Sequence, residues 1–158
     1  MPRRLKLVGS TDANRAMTIR VAFASNDRLH VNQHFGAAEG FFIYDISLDK
    51  ASLVAVGEFP ASSMDGNETK LAAKIDFLGG CAAVFVLAVG GSAIKQLMAA
   101  GVQPVRIDQG QQGDRIGDLL AEIQTGMRDG GVPWIDKALA AQKSPERFAT
   151  MAEEAWTD

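Results

Sequence analysis

The segment Cys81–Val89 (CAAVFVLAV) restricts the fold of this chain more than any other feature. It contains no polar side chain, so it cannot alternate between a buried and a solvated face, and it predicts a strand covered on both sides. Such strands occur in proteins where helices pack on both faces of a largely parallel sheet. Gly90, Gly91 and Ser92 follow directly and predict a turn into a helix over Ala93–Ala100. We therefore expect an α/β fold.

Three strands are predicted before this segment, and they form a meander. They are rich in β-branched and aromatic residues and span Thr18–Ala24, Gly40–Ser47 and Leu53–Phe59. The short connection over residues 48–52 suits an antiparallel hairpin. The connection over residues 25–39 is longer than most hairpin loops, and loops of this length in compact domains are commonly functional.

Strands and helices alternate in the second half of the chain. A helix capped by Asp65 or Asn67 is predicted to end at Gly79. The later elements are the strand Val102–Ile107 and the helices Asp114–Arg128 and Trp134–Ala141. With right-handed crossovers between parallel strands, this succession gives a five-stranded mixed sheet in the order 3-2-1-4-5, flanked by helices, with strand 2 antiparallel to the rest. This is a ribonuclease H-like topology.

Strands 1 and 4 lie side by side in this arrangement, and the chain leaves them in opposite directions. A crevice opens at such a topological switch point, beside the carboxyl ends of the strands, and ligands commonly bind there. The ends in question are Ser25 onward and Val89–Ser92. We therefore expect the loop after strand 1 to lie beside the glycine-rich start of a helix.

One domain over residues 18–141 is expected from the length of 158 residues and the 47% share of hydrophobic positions. Residues 1–17 are an N-terminal extension, expected to be loop or disordered, and residues 142–158 are a C-terminal tail that could dock as a helix. No apolar run approaches the ~18 residues of a membrane span, and the N terminus does not fit a secretion signal, so we expect a cytoplasmic protein. The net charge of -3 argues against nucleic acid as a partner.

Both histidines of the chain, His30 and His34, fall in the long loop after strand 1. Imidazole is the commonest side-chain metal ligand, and loops at strand ends are where sites are built. The place of His34 at the switch point makes it the best metal-ligand candidate; the alternative is a loop histidine that bonds the backbone. His30 is a weaker candidate, because Val31 and Asn32 do not favour the helix that would align the two rings.

The turn Gly90–Ser92 is a candidate binding site for an anion. It offers backbone N–H groups and the positive end of a helix dipole. It matches neither the P-loop nor the dinucleotide fingerprint, and a tight strand–helix turn explains it equally well. Ser25 and Asn26 are candidate cofactor-binding residues across the crevice, and the alternative is that they make an Asx-type turn with Asp27.

Cys81 is the remaining candidate metal ligand, because thiolates bind soft metals and iron–sulfur clusters. As the only cysteine, it excludes an internal disulfide and a Cys-only metal site within one chain. It begins strand 4, whereas His34 lies near the opposite end of the sheet, and a strand of this length spans about 25 Å at ~3.3 Å per residue. A buried structural cysteine is the competing interpretation.

An enzyme is not expected. A two-metal nuclease on this fold needs carboxylates that project from strand 1 and nearby strand ends, and the middle of Thr18–Ala24 has none. Asp45 is equally suited to face a site or solvent. The spacing reveals no Ser-His-Asp or Cys-His arrangement, so the fold alone does not justify nuclease activity.

Several stretches of this sequence resemble one known family. They are Arg20–Ser25 (RVAFAS), Val31–Phe41 (VNQHFGAAEGF), Gly80–Val86 (GCAAVFV) and Gly90–Ala93 (GGSA). Together they resemble the dinitrogenase iron-molybdenum cofactor biosynthesis family, which includes NifX, NafY and the carboxyl end of NifB. The resemblance extends over residues 18–135, and the later Pro-Trp pair is similar to that of the longer NifX members.

This resemblance implies a carrier and not a catalyst. Members of the family bind the iron–sulfur precursor of the iron-molybdenum cofactor that NifB makes, called NifB-co, and pass it to the NifEN scaffold. The implied partners are therefore NifB as donor and NifEN as acceptor, and the implied cargo is a transiently bound iron–sulfur cluster. A histidine in the cofactor-binding loop of relatives is tied to cluster binding, and this role carries over to His34 in His34-Phe35-Gly36.

A protein of a different class would also fit the resemblance. Such a protein would assist nitrogenase maturation by interaction, or regulate nitrogen-fixation genes, without stably holding a cluster. In either case we expect a monomer or a weak oligomer. Recovery of a brown, cluster-loaded protein after anaerobic gel filtration would distinguish the carrier from this alternative.

Overall fold

The computed structural model describes residues 17–59, 68–107 and 115–142. Residues 1–16 of the expected N-terminal extension lie outside these ranges. So do the proposed helix caps Asp65 and Asn67 and residues 143–158 of the expected tail. The structure therefore covers most of the segment expected to form the domain.

Five strands form one open mixed sheet. They are β1 (Ile19–Ala24), β2 (Gly40–Ile46), β3 (Ala51–Glu58), β4 (Ala83–Val86) and β5 (Gln103–Arg106). The order is β3-β2-β1-β4-β5. β2 is antiparallel to both of its neighbours, whereas β1, β4 and β5 are parallel. The predicted order and orientation are confirmed, and the ribonuclease H-like label stays a prediction.

Helices cover both faces of this sheet. On one face lie α1 (Glu68–Phe77) and α2 (Gly91–Ala99), and on the other lie α3 (Ile116–Asp129) and α4, which spans residues 133–142. The last three match predicted helices, with ends shifted by one or two residues. Among the described helices, none is long and apolar enough to cross a membrane.

The two faces of β1 contribute to two separate cores. Successive side chains of a strand point to opposite sides. Ala22 and Ala24 therefore pack with α1 and α2, while Val21 and Phe23 pack with α3 and α4. All residues of β4 are buried as well. Because β4 is covered on both sides it carries no polar residue, and this explains why the apolar run identified it.

The predicted strand Cys81–Val89 is too long at both ends. Cys81 belongs to the turn before β4, where its N–H donates to the Leu78 carbonyl at 3.0 Å. Past the other end of β4, the Leu87 N–H donates to the Gln33 carbonyl at 3.0 Å, in the loop after β1. Hydrophobic composition continues beyond the strand because these flanking residues pack on the core too, so composition alone does not mark where the strand stops.

We predict that Gly57→Ala destabilises the fold, because a Cβ built at Gly57 in β3 would lie 2.5 Å from the ring of Phe77 in α1. Such overpacking costs about 1–3 kcal/mol of unfolding free energy. The control is Gly117→Ala in α3, where an added Cβ meets no heavy atom within 4 Å. It should raise stability by up to ~1 kcal/mol through helix propensity. Urea denaturation measures both, and an unchanged Gly57→Ala variant would contradict this packing.

Candidate functional site

The connection between β1 and β2, residues 25–39, carries both histidines, and we call it the histidine loop. Its two ends are joined by a hydrogen bond from the Ser25 N–H to the Gly40 carbonyl at 3.0 Å. The side-chain oxygen of Gln33 accepts the N–H groups of Glu39 and Gly40 at 2.9 and 3.3 Å. Asn32 donates its N–H to the Ala24 carbonyl at 3.2 Å. These bonds give the loop a defined shape.

The histidine loop is also bonded to the turn between β4 and α2. The Gln33 carbonyl accepts the Leu87 N–H at 3.0 Å, and the Phe35 N–H donates to the Ala88 carbonyl at 2.8 Å. His34 lies between these two attachment points in the chain. The predicted adjacency of the two loops at the carboxyl ends of β1 and β4 is thus confirmed.

Phe35 anchors the centre of the histidine loop in the core. Its side chain is fully buried, and its ring centroid lies 5.6 Å from that of Phe41 in β2. The Phe41 ring in turn contacts Phe59 at 5.8 Å. His34, directly before this anchor, is exposed. The loop therefore presents the imidazole to solvent from a fixed backbone.

Lys74 of α1 contacts the same segment from the protein interior. Although its side chain is only 2% exposed, its ammonium donates to the Gly36 carbonyl at 2.7 Å and to the Phe35 carbonyl at 3.4 Å. The ammonium also lies 5.9 Å from the centre of the Phe59 ring. A buried charge is stable only with such partners. The cation thus holds the carbonyls of the His-Phe-Gly segment toward the protein interior.

Sequence reasoning missed Lys74, although a signal was present. Leu71, Ile75 and Leu78 recur at helical spacing and predict an apolar stripe, and Lys74 falls within that stripe. A lysine at a core-facing position is rare unless it is paired. Its partners are carbonyls from a distant loop, so the sequence alone could flag Lys74 but could not name them.

Ser25 and Asp27 form the Asx-type turn that was the alternative interpretation. The buried Ser25 hydroxyl donates to the Asp27 carboxylate at 3.0 Å and accepts the Arg28 N–H at 2.9 Å. The same carboxylate accepts the N–H groups of Leu29 and His30 at 2.8 and 2.9 Å. The hydrogen bonds of the Ser25 side chain therefore lie within the loop, and its cofactor-binding role stays a prediction.

Asn26 is held by a reciprocal pair with Asn32. The Asn26 N–H donates to the Asn32 side-chain oxygen at 3.1 Å, and the Asn32 amide donates back to the Asn26 side-chain oxygen at 2.9 Å. Two residues further on, Arg28 adopts a φ of 66°, which is unusual for a residue other than glycine. Asn26 is exposed at the rim of the loop, and its contact with a cofactor stays a prediction.

The imidazole of His30 faces a carboxylate. Its Nδ1 lies 3.2 Å from an Asp27 carboxylate oxygen, with each side chain 40% exposed. His30 also makes a backbone bridge to Arg115, and the Leu29 carbonyl accepts the Ile116 N–H at 2.9 Å. His30 thus joins the histidine loop to the start of α3. Its role as a metal ligand stays a prediction.

The start of α2 is open toward solvent. Gly90 caps the helix without a side-chain hydrogen bond, and the first turn of α2 has no acidic residue. A Cβ added to Gly90 or Gly91 would meet no heavy atom within 4 Å, so packing does not require glycine there. Ser92 accepts a hydrogen bond from Gln96 at 3.2 Å. The exposed N–H groups and the positive end of the helix dipole favour an anion.

Cys81 lies at the opposite edge of the sheet from His34. It is 3% exposed, and burial raises the pKa of its thiol to about 12; the Arg20 charge lowers that pKa and the Asp45 charge raises it, both by less than burial does. The thiol is therefore protonated at neutral pH. In the part of the chain that the structure describes, no group of three or more His, Cys, Asp or Glu residues is placed to hold a metal. A ligand role for Cys81 stays a prediction.

The fold and the loop together define a class of protein: a small α/β domain that presents an imidazole and a helix N terminus at the carboxyl edge of its sheet. The model of the family described as dinitrogenase iron-molybdenum cofactor matches residues 17–126. This chain belongs to that family. The predicted resemblance to the group that includes NifX is confirmed.

Several relatives show how far the similarity extends. The chain is 42% identical to protein NifX of Azotobacter vinelandii over 158 residues, which is 99% of this chain and 97% of that protein. It is 32% identical to the FeMo cofactor biosynthesis protein NifB of Bradyrhizobium diazoefficiens over 102 residues, which is 63% of this chain and 20% of that protein. The crystal structure of PH0822 is similar with a TM-score of 0.51 and 27% identity, covering 68% of this chain and 90% of that one.

We predict that Lys74→Met loosens the histidine loop while the domain stays folded. The aliphatic part of the side chain remains, but the charge-assisted bonds to the two loop carbonyls are lost. Amide exchange at Phe35 and Ala38, followed by NMR, should accelerate on the order of tenfold. Lys95→Met, at an exposed position of α2, is the control and should leave these amides unchanged. Equal exchange in wild type and Lys74→Met would show that the ammonium does not hold the loop.

A second prediction concerns acid stability. Burial acts to raise the pKa of the Asp27 carboxyl, but the N–H groups of His30 and Leu29 and its side-chain partners outweigh it, and the net pKa is lowered. The carboxylate therefore stabilises the fold above its ordinary pKa of about 3.9, and this contribution is lost as the pH falls further toward the folded-state value. Asp27→Asn should lower the unfolding free energy at pH 7 and flatten its decline below pH ~4. Urea denaturation of wild type and Asp27→Asn between pH 7 and acid pH measures how the unfolding free energy of each depends on pH. The same pH dependence in both proteins would show that the Asp27 carboxylate does not stabilise the fold.

Proposed function

We propose that this protein acts in the biosynthesis of the nitrogenase iron-molybdenum cofactor as a carrier for its iron–sulfur precursor. The cluster is cargo, and the protein is not an enzyme. One observation carries the proposal: His34 is exposed on a loop whose backbone is fixed by Phe35 and Lys74 and bonded to the turn before α2. Membership of the family and the similarity to a NifB named for FeMo cofactor biosynthesis support the choice of cargo.

The chemistry of the loop edge suits a carrier. A neutral imidazole supplies one ligand to an iron atom, and the N–H groups at the start of α2 can donate to the sulfides of an anionic cluster. A carrier must protect its cargo and also release it. One protein ligand and a few hydrogen bonds meet both needs better than the four thiolates that commonly ligate iron–sulfur clusters. Ser25 and Asn26 shape the loop that presents the imidazole.

The exposure of the site bears on delivery. His34 and the start of α2 lie on the surface of the described domain and not in a closed cavity. A donor and an acceptor protein can therefore approach the cluster directly. We propose NifB as the donor and NifEN as the acceptor, with exchange in the cytoplasm by a monomer or weak oligomer. The ribonuclease H-like fold serves here as a scaffold.

We predict that His34→Ala keeps the fold and lowers precursor affinity on the order of tenfold or more, because it removes the proposed iron ligand. The matched control is His30→Ala, which removes the other imidazole of the same loop. Anaerobic titration with NifB-co measures the affinity, and the unfolding free energy shows whether each variant is intact.

Two outcomes of this titration and one of gel filtration are informative. Loss of binding in His34→Ala with retention in His30→Ala supports the assignment. The reverse order would transfer the ligand role to His30. A wild-type protein that emerges colourless from anaerobic gel filtration with the precursor would contradict the carrier and favour an interaction or regulatory role in nitrogenase maturation.

A further inference from the structure

A cavity lies at the edge of the sheet opposite the histidine loop. It opens at the amino ends of β1, β4 and β5, between α4 and the turn after α2, and we call it the amino-end cavity. Its volume of about 780 Å³ falls in the range of sites that bind small molecules. The proposed carrier function does not use this edge of the domain.

Small side chains create the space. Ala138 and Ala141 of α4 face the cavity, and Ala82 and Gly101 line it from the sheet side and from the turn after α2. The turn needs glycine, since Gly101 has a φ of 83°. Longer side chains at these positions would close the gap between α4 and the strand ends. The cavity therefore exists because the residues at these positions are small.

An aromatic side chain forms the apolar wall. Trp134 of α4 lines the cavity, and its ring is held edge-on against Phe85 of β4 with centroids 6.0 Å apart. Met98, which is 52% exposed, lies at the cavity too. A fixed indole and a flexible thioether suit the flat or aliphatic body of an organic molecule.

The charged groups of the lining leave one positive charge in excess. Arg20 and Asp45 pair with each other through two hydrogen bonds of 2.7 and 3.1 Å, so they neutralise one another while the guanidinium keeps further N–H donors. Lys137 of α4 adds an ammonium to the same lining. The polar lining thus favours an anionic head group.

One acceptor in the lining is also unused. The side-chain N–H of Gln142 donates to the Thr18 carbonyl. Its oxygen is buried and, among the described residues, lacks a hydrogen-bond partner. A buried acceptor without a partner is costly, so a ligand with an N–H or O–H group would relieve it.

We propose that the amino-end cavity binds a small amphipathic organic anion, with its acidic group near Lys137 and Arg20 and its apolar body against Trp134. The site is independent of the cluster-binding proposal and lies at the other edge of the sheet. The ligand at this site would be a soluble organic acid and not a metal.

The probe for this site is 8-anilino-1-naphthalenesulfonate, with its uncharged counterpart N-phenyl-1-naphthylamine. The chain has two tryptophans, so a Trp156→Phe background leaves Trp134 as the fluorescence donor. We expect the anion to bind more tightly than the neutral probe and to quench Trp134 by energy transfer. Absence of binding, or binding without energy transfer, would overturn the proposal.

Two substitutions with matched controls locate the probe. Lys137→Gln should weaken the anionic probe about threefold to fivefold and leave the neutral probe unchanged. Ala141→Phe, at an exposed position that lines the cavity, should weaken both about tenfold by filling it. The controls Lys95→Gln and Ala140→Phe, at exposed positions outside the lining, should change neither. Equal effects of variants and controls would refute the site, and unfolding free energies confirm that all four fold.

Discussion

The shape of the candidate site depends on a buried positive charge. Lys74 cannot lie in the core without acceptors, because desolvation of an ammonium is costly. The carbonyls of Phe35 and Gly36 supply such acceptors. Their inward orientation fixes the turn that follows His34, and the burial of Phe35 secures it. The exposure of the imidazole is therefore a consequence of the packing of the adjacent Phe35 and of Lys74 in α1. The ammonium adds to the hydrogen bonds that the loop makes with β1, β2 and its own Gln33 side chain.

The carboxyl ends and the amino ends of the parallel strands form two edges of the sheet with different chemistry. β4 is buried on both faces and pairs in parallel with β1, so the carboxyl ends of both strands lie at the same edge. That edge carries His34 and the start of α2. The other edge carries Cys81, the Arg20–Asp45 pair and the amino-end cavity. The distance across β4 keeps the thiol out of the histidine loop, in agreement with its protonated, buried state. Each edge can therefore be altered by mutation without direct disturbance of the other.

Hydrophobic pattern predicted the architecture because strand order follows from which segments must be buried on both sides. It also placed His34 beside the turn before α2, since the switch point depends on topology alone. The limits of β4 could not be predicted, because they depend on where Leu87 finds its hydrogen-bond partner in a distant loop. The inward role of Lys74 escaped for the same reason, since its acceptors lie in that loop. The turn at Ser25 and Asp27 is a local feature, and the sequence could name it only as one of two interpretations.

The carrier proposal depends on one binding event, that of the iron–sulfur cluster at the histidine loop. The most direct test is a crystal structure of the protein loaded anaerobically with NifB-co, with anomalous scattering measured at the iron edge. The proposal predicts an iron peak within bonding distance of an imidazole nitrogen of His34, with the cluster over the start of α2 near Gly91. An iron peak at Cys81 or elsewhere on the surface, with the His34 ring free of metal, would contradict it.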